Sequence, residues 1–261
     1  MKRISNIIEQ AKSGEKITAL TAYDASFARL LESCGIDIIL VGDSLGMVVQ
    51  GHSNTLSVTL EEMIYHTRIV ASNCTEPLIM ADLPFGTYGT KEQTLMSAQA
   101  LIKAGAAVVK IEGSEWLAKH IELLTQCGIP VCAHIGLNSQ YIHTMGGFKI
   151  QGRSVDGINE LTTTAKNLQD AGASLLVLEC VSLAAAQQVL EVVNIPVIGI
   201  GAGSNTDGQI LVTYDMLGLT PGKPYKFVKN FMQETGNITE AIKAYVKAVK
   251  NQTFPSQEHC Y

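Results

Sequence analysis

The sequence is short of the features that mark a membrane-spanning, secreted or nucleic-acid-binding chain. No uncharged apolar run in its 261 residues approaches the roughly 18 needed to cross a bilayer. Charged residues make up only 16%, and the formal net charge of −5 is mild and not segregated. Without a basic stripe, a nucleic-acid surface is excluded. The six cysteines (Cys34, Cys74, Cys127, Cys132, Cys180, Cys260) show no close metal-ligand spacing, and several stand in apolar runs where Cys acts as a small hydrophobe. A reduced compartment is the simpler reading. No Ser- or Pro-rich linker and no shift of composition marks a domain boundary. The stretch from Met1 to Gln10 begins basic, but Glu9, Lys12, Glu15 and Lys16 interrupt what would have to be an apolar secretory segment. It reads as an amphipathic helix, and the chain as cytoplasmic, with small molecules or copies of itself as partners.

What the sequence does have is apolar residues, 46% of the total, arranged in short Val- and Ile-rich runs. Six of these end on a polar group or a glycine cluster. Ile36–Gly42 leads into Asp43 and Ser44, Leu78–Ala81 into Asp82, and Ala106–Val109 into Lys110 and Glu112. Pro130–Ala133 stops at His134, Leu175–Leu178 at Glu179, and Pro196–Ile200 at Gly201-Ala202-Gly203. Continuous runs of this kind fit strands buried on both faces of a parallel sheet. Ile17–Thr21 precedes them, and Ile210–Thr213, ending at Asp215, follows.

Helical spacing and helix-start signals lie between the runs. Asp24 is placed to cap Phe27, Leu30, Leu31 and Cys34, with Gly35 as a stop. Thr59 with Glu62, and Thr90 with Gln93, form the capping pattern that opens a helix. Ser182 opens Leu183 to Val193. The segment Ala104–Glu112 echoes Ala171–Glu179: a glycine stop, a buried strand, and a carboxylate seven residues after the glycine. Alternation of this kind predicts a single (β/α)8 TIM barrel over residues 1–261, with 221–261 as a helical C-terminal extension holding helices around Phe227–Phe231 and Ile238–Val249. The competing open doubly wound sheet lacks its Gly-x-Gly-x-x-Gly signature here. In a barrel the polar strand ends share one rim, beside long loops at Gly46–Ser57 and Gly136–Arg153.

Asp43, Asp82 and Glu112 end three successive runs, and oxygen donors without a zinc-spaced His or Cys pair favour a hard cation, Mg²⁺ first. Taken singly, the aspartates also suit helix or turn caps, and Glu112 an ion pair with Lys110. Glu179 ends a very apolar strand, where loss of water favours a basic carboxylate, and is the candidate general base. Lys110 suits charge balance for an acidic substrate or a Schiff-base nucleophile. His134 suits a hydrogen bond to substrate or a strand cap, and Ser44 a hold on a substrate carboxylate or a plain turn. The Gly199–Gly203 cluster is a weak anion-nest signal. Asp24, Asp215 and the remaining histidines read as caps or surface positions.

At these residues the sequence resembles the ketopantoate hydroxymethyltransferase family, the folate-dependent enzymes of pantothenate synthesis. The likeness runs nearly end to end through Thr18–Asp24, Val41–Met47, Ala81–Phe85, Val109–Gly113, Val177–Cys180 and Ile198–Gly203. Tyr214 departs from the histidine common in the family. The resemblance implies a Mg²⁺ site of Asp43, Asp82 and Glu112, direct or through water, and a keto acid held by Asp43, Ser44, Asp82 and Lys110, with His134 adjacent. It implies Glu179 as proton acceptor and a homo-oligomer, commonly a decamer. The implied reaction passes a hydroxymethyl group from 5,10-methylenetetrahydrofolate to 3-methyl-2-oxobutanoate through a Mg-stabilised enolate, giving 2-dehydropantoate. The rivals are a Mg-dependent 2-oxo acid lyase of the phosphoenolpyruvate/isocitrate lyase type, a lysine aldolase using Lys110, and a keto-acid sensor without catalysis.

Overall fold

Eight short parallel strands close on themselves in chain order, each paired only with its sequence neighbours, β8 returning to β1. The computed structural model describes all residues from Met1 to Tyr261. The strands are β1 (Ile17–Thr21), β2 (Ile38–Val41), β3 (Leu78–Asp82), β4 (Val108–Glu112), β5 (Val131–Gly136), β6 (Leu175–Glu179), β7 (Val197–Ile200) and β8 (Gly208–Leu211). Nearly every strand residue is buried, as expected where the inner face fills the barrel and the outer face meets helices. The fold is the (β/α)8 barrel the runs predict.

The helix starts follow the sequence signals. Asp24 accepts from the amides of Ser26 and Phe27, Ser182 from that of Ala185, and Thr59 with Glu62 closes a reciprocal capping box. At Thr90 only half of the box forms, because the Gln93 side chain turns to the Gly89 amide. No helix is long and apolar enough to cross a membrane.

Two boundaries differ from expectation. β8 begins at Gly208 and stops at Leu211, two residues short of the predicted run, because Thr213 leaves the ladder to donate its hydroxyl to the Thr21 carbonyl and opens a short helix, Thr213–Met216, that contains Asp215. No helix forms over 227–231; the C-terminal helices are Met232–Thr235 and Ile238–Lys250. Phe227 and Phe231 have helical spacing but serve different places: Phe227 stacks on Tyr225, while Phe231 packs edge-on to Tyr245 and Phe254.

One continuous cluster of 68 buried apolar residues reaches from Ile7 to Tyr245, Val249 and Phe254, so both ends of the chain share the barrel core. The Tyr245 hydroxyl, fully buried, bonds to the carbonyls of Ala19 on β1 and Gln209 on β8 across the closing seam. Gly136, at φ +98°, lets β5 lie against β6: a Cβ there would stand 2.2 Å from the Glu179 carbonyl oxygen.

At the opposite end of the barrel, Asp37 ties three segments together. Its carboxylate accepts from the Thr18 amide and hydroxyl at 2.9 and 2.8 Å, pairs with Lys2, and lies 3.5 Å from the Lys250 ammonium. Burial alone would raise its pKa, but the Lys2 and Thr18 hydrogen bonds outweigh that and hold it below the ordinary 3.8. A depressed carboxylate stabilises the fold above its unfolded pKa and loses that contribution as pH falls through the folded value. Asp37→Asn is therefore expected to cost about 1.5–3 kcal/mol at pH 7. In denaturant titrations the gap from wild type should narrow below about pH 4; a gap that does not change with pH would remove the carboxylate from this role.

Candidate active site

Strand register brings the polar ends together in pairs. Asp82 stands opposite Lys110, and Glu112 opposite His134, in the β3–β4 and β4–β5 ladders. Lys110 and Glu112 are two apart on one strand and so point to one face, here the barrel interior. Asp43, Ser44, Asp82, Lys110, Glu112, His134 and Glu179, all singled out in the sequence, line one cavity of about 500 Å³ at the C-terminal rim. A second groove, of about 510 Å³ and lined by Lys12, Lys16 and Asp207, carries no such cluster. Chemistry, not size, separates the two.

Within the rim the contacts form a chain. The Asp43 amide donates to Asp82 Oδ2 at 3.0 Å, and Lys110 Nζ lies 2.7 Å from Asp82 Oδ1. Lys110 Nζ is 3.5 Å from His134 Nδ1, which is 3.1 Å from Glu112 Oε2; His134 Nε2 is 3.1 Å from Glu179 Oε2. Asp82 Oδ1 and His134 Nε2 sit at ion-pair distance from these partners without a well-directed hydrogen bond, so each keeps donor or acceptor capacity for a ligand. Lys110 pairs with Asp82 rather than with Glu112, unlike the single-residue alternative. The Ser44 hydroxyl is 2.8 Å from that of buried Tyr23. Cys180 has φ +49°, a turn of the chain rarely taken by a residue with a side chain, directly after Glu179. The Glu179 side chain is 18% exposed, more open than its apolar strand suggests.

The electrostatics separate the carboxylates. Desolvation, reinforced by Asp82 and Glu112, pushes Asp43 up to about 8. Asp82 also rises through burial, opposed by Lys110. Glu112 is just as buried, yet it falls below the ordinary range because hydrogen bonding to His134, the His134 and Lys110 charges and the Gln140 amide outweigh desolvation. Burial and Lys110 oppose a charged His134, but its contacts with Glu112 and Glu179 win and raise it to about 9. Lys110 is raised despite burial by Asp82, Glu112 and Asp43.

No three acidic, histidine or cysteine side chains approach closely enough to ligate one ion together. Asp43 and Asp82 nonetheless suit a hard cation: both are buried oxygen donors, and Asp82 Oδ1, whose one close partner is the Lys110 ammonium at 2.7 Å, keeps acceptor capacity. Mg²⁺ is commonly held by only one or two carboxylates, completing its octahedron with water and substrate oxygens. Glu112 has both oxygens engaged, by the Gln140 amide on one side and by His134 and Ser139 on the other.

Sequence reasoning missed Gln140. Its amide donates to Glu112 Oε1 at 2.6 Å, its Nε2 to Asp43 Oδ2 at 2.9 Å and to the Leu83 carbonyl at 3.0 Å, and its Oε1 accepts from Tyr88. A lone Gln in a loop has no motif; only the length of the Gly136–Arg153 connection hinted at it. In the Gly199–Gly203 cluster, Gly201 leaves room for the rings of Phe227 and Tyr261, which a Cβ there would meet at 3.1 Å.

The model of the ketopantoate hydroxymethyltransferase family matches residues 1–257. A 3-methyl-2-oxobutanoate hydroxymethyltransferase of Shewanella amazonensis is 50% identical over 98% of this chain and 97% of its own. One from Alcanivorax borkumensis is 51% identical over 99% and 98%. Among solved structures, phosphonopyruvate hydrolase in complex with oxalate and Mg²⁺ superposes with a TM-score of 0.64 at 16% identity, covering 81% of each chain. 2,3-Dimethylmalate lyase gives 0.61 at 16% identity over 84% and 83%. These two share the fold.

Removing the Gln140 side chain should leave Tyr88 and Asp43 short of partners in the interior. Gln140→Leu is expected to lower the unfolding free energy by about 1–3 kcal/mol, read by denaturant titration. Wild-type stability in the variant would show that the hub is dispensable.

Proposed function

The chain belongs to the ketopantoate hydroxymethyltransferase family, and on that footing we propose that its rim transfers a hydroxymethyl group from 5,10-methylenetetrahydrofolate to 3-methyl-2-oxobutanoate, giving 2-dehydropantoate. One observation carries this reading. The Lys110–Asp82 pair, at 2.7 Å, and the Glu179 carboxylate, 3.1 Å from His134, open into the same cavity. The first suits holding an acidic substrate, and the second suits taking its proton.

The rim sets four carboxylates, Asp43, Asp82, Glu112 and Glu179, against two cations, Lys110 and His134. Such a site repels an acidic substrate unless more positive charge enters. We assign that charge to Mg²⁺, with Asp43 and Asp82 as oxygen donors and Glu112 behind a water. When bound, the ion draws electron density from the keto group and so acidifies the neighbouring C–H. Ser44, oriented by Tyr23, and Lys110 hold the carboxylate of the keto acid. Glu179 removes the proton from the third carbon. His134, held between Glu112 and Glu179, fixes the position of the Glu179 carboxylate. The enolate carbon then attacks the one-carbon unit as one of its two C–N bonds to the folate breaks, and water displaces the second nitrogen to leave the hydroxymethyl group; the proton taken by Glu179 and one from the water end on the two nitrogens of tetrahydrofolate.

The lyase alternative shares the barrel, but its likeness stops at 16% identity against about 50% for the hydroxymethyltransferases. Homo-oligomerisation, as a decamer, fits the exposed Tyr65, Phe85 and Met96, apolar surface that further copies would cover.

Glu179→Gln should keep keto-acid binding but slow hydrogen exchange at the third carbon, measured without folate, by about 10²–10⁴. Unchanged exchange would remove Glu179 from the role. Because Asp43 titrates near 8, protons compete with the metal below that value. Mg²⁺ affinity should therefore climb as pH rises towards about 8, with protons released on binding at pH 7, as calorimetry in buffers of different ionisation enthalpy would report. Asp43→Asn should lose most of that release; identical release would place the metal elsewhere.

A further inference from the structure

The groups assigned to the keto acid and metal come from β2 through β6, which leaves the β7–β8 side of the cavity without a task. That side is different in character. Ile200, Ile210 and Val212 line its floor, and its wall is aromatic. Tyr225 lies parallel to Phe227 at 5.4 Å, and Phe148 packs against Tyr225 at 5.5 Å. Phe148 and Tyr225 are 44% and 39% exposed, unusual for aromatic side chains with a core nearby. Half-buried Asp215 lines the same side and receives a hydrogen bond from the Thr220 hydroxyl on Oδ1, leaving Oδ2 without a donor from the chain. Lys149 and Lys223 line the cavity as well, both exposed, and the ion pairs of the chain involve other lysines.

The geometry points to this arc as the seat of the folate: Asp215 takes the aminopyrimidine edge of the pterin, Tyr225 and Phe148 stack on its rings, and Lys149 and Lys223 receive the glutamate tail. The assignment rests on the reaction proposed above and names the residues that hold its second substrate. The ligand's chemistry matches each part. A 2-amino-4-oxopyrimidine presents two N–H donors side by side, the arrangement that a carboxylate accepts in bidentate fashion. A flat heterocycle stacks on exposed aromatic faces, and its glutamates are anions. A cavity of about 500 Å³ is far larger than a five-carbon acid requires and lies within the roughly 300–1,000 Å³ typical of sites for larger organic ligands. Tyr225, Asp215 and Glu179 line the one cavity, so a one-carbon carrier stacked on Tyr225 shares it with the proposed base.

Binding of tetrahydrofolate and of its triglutamate to the full-length protein, by calorimetry, tests this. Asp215→Asn should weaken tetrahydrofolate binding roughly 10- to 100-fold, the range for a charge-assisted hydrogen-bond pair. Tyr225→Leu, which keeps an apolar side chain against Phe227, should weaken it at least about fivefold. The double variant Lys149→Ala with Lys223→Ala should bring the triglutamate down to the affinity of the monoglutamate. Exchange at the third carbon of the keto acid, which needs no folate, reports in each variant that the opposite arc is intact. Wild-type tetrahydrofolate affinity in both Asp215→Asn and Tyr225→Leu would overturn the assignment alone. Absence of tetrahydrofolate binding in a wild-type protein that exchanges the keto-acid proton would overturn the choice of donor, and this subsite with it.

Discussion

Four acidic side chains enclosed at one end of a barrel, with two basic ones between them, are the constraint on which the rest of the structure turns. Desolvation disfavours the charges of Asp43, Asp82, Glu112, Lys110 and His134, and like charges at this range add to the cost. What makes the arrangement tolerable is strand register. Asp82 faces Lys110 and Glu112 faces His134 across adjacent parallel strands, so the closed ladder that holds the fold together also places two of these acids each against a base. A slip by one residue would turn Lys110 and Glu112 outward among the helices and leave Asp82 buried without a cation.

The closed sheet supplies that register, and its closure is enforced away from the rim. Tyr245 bonds across the β1–β8 seam, while Asp37 ties β1 to residues near both ends of the chain. Gly136 performs a related task near the site by allowing β5 and β6 to approach where Glu179 ends its strand. Fold stability and site geometry are therefore coupled through backbone spacing rather than through direct contacts between the two ends. The long loop after β5 adds Gln140, whose four hydrogen bonds reach Asp43, Glu112, Leu83 and Tyr88, so a loop residue closes what the strands leave open.

Most of this was legible in sequence because the signals were local: apolar runs ending in acids, glycine stops, and caps such as Asp24 and Thr59. The start of β8 was not, because Gln209 is a buried polar residue that satisfies its amide locally, on Gly203 and Thr206, which hides the strand from a hydrophobic pattern. The 227–231 segment misled for the opposite reason. Phe227 and Phe231 have the spacing of a helix face, yet each is an anchor for a different cluster, and the chain between them is irregular. Asp215 read as a cap because nothing near it in sequence marks the cavity that it lines. Gln140 shows the general limit: its importance lies in partners 28 and 97 residues away, which no spacing rule encodes.

The contrast between Glu112 and Asp43 carries the functional logic furthest. Both are fully enclosed and both feel the Lys110 charge, but Glu112 is held as an anion by His134 and the Gln140 backbone amide as well, whereas at Asp43 desolvation and two other acids outweigh Lys110 and the Gln140 side chain. The protein has thus completed the partners of one carboxylate and left the other in want of positive charge. An entering cation gains most beside the group whose proton it displaces, so the imbalance itself selects the Asp43–Asp82 side of the rim. It leaves Glu112 to fix His134, and through His134 the orientation of Glu179. In the proposed reaction the same imidazole, 3.1 Å from both Glu112 and Glu179, thus separates the carboxylates that would hold a cation from the one that would take the proton.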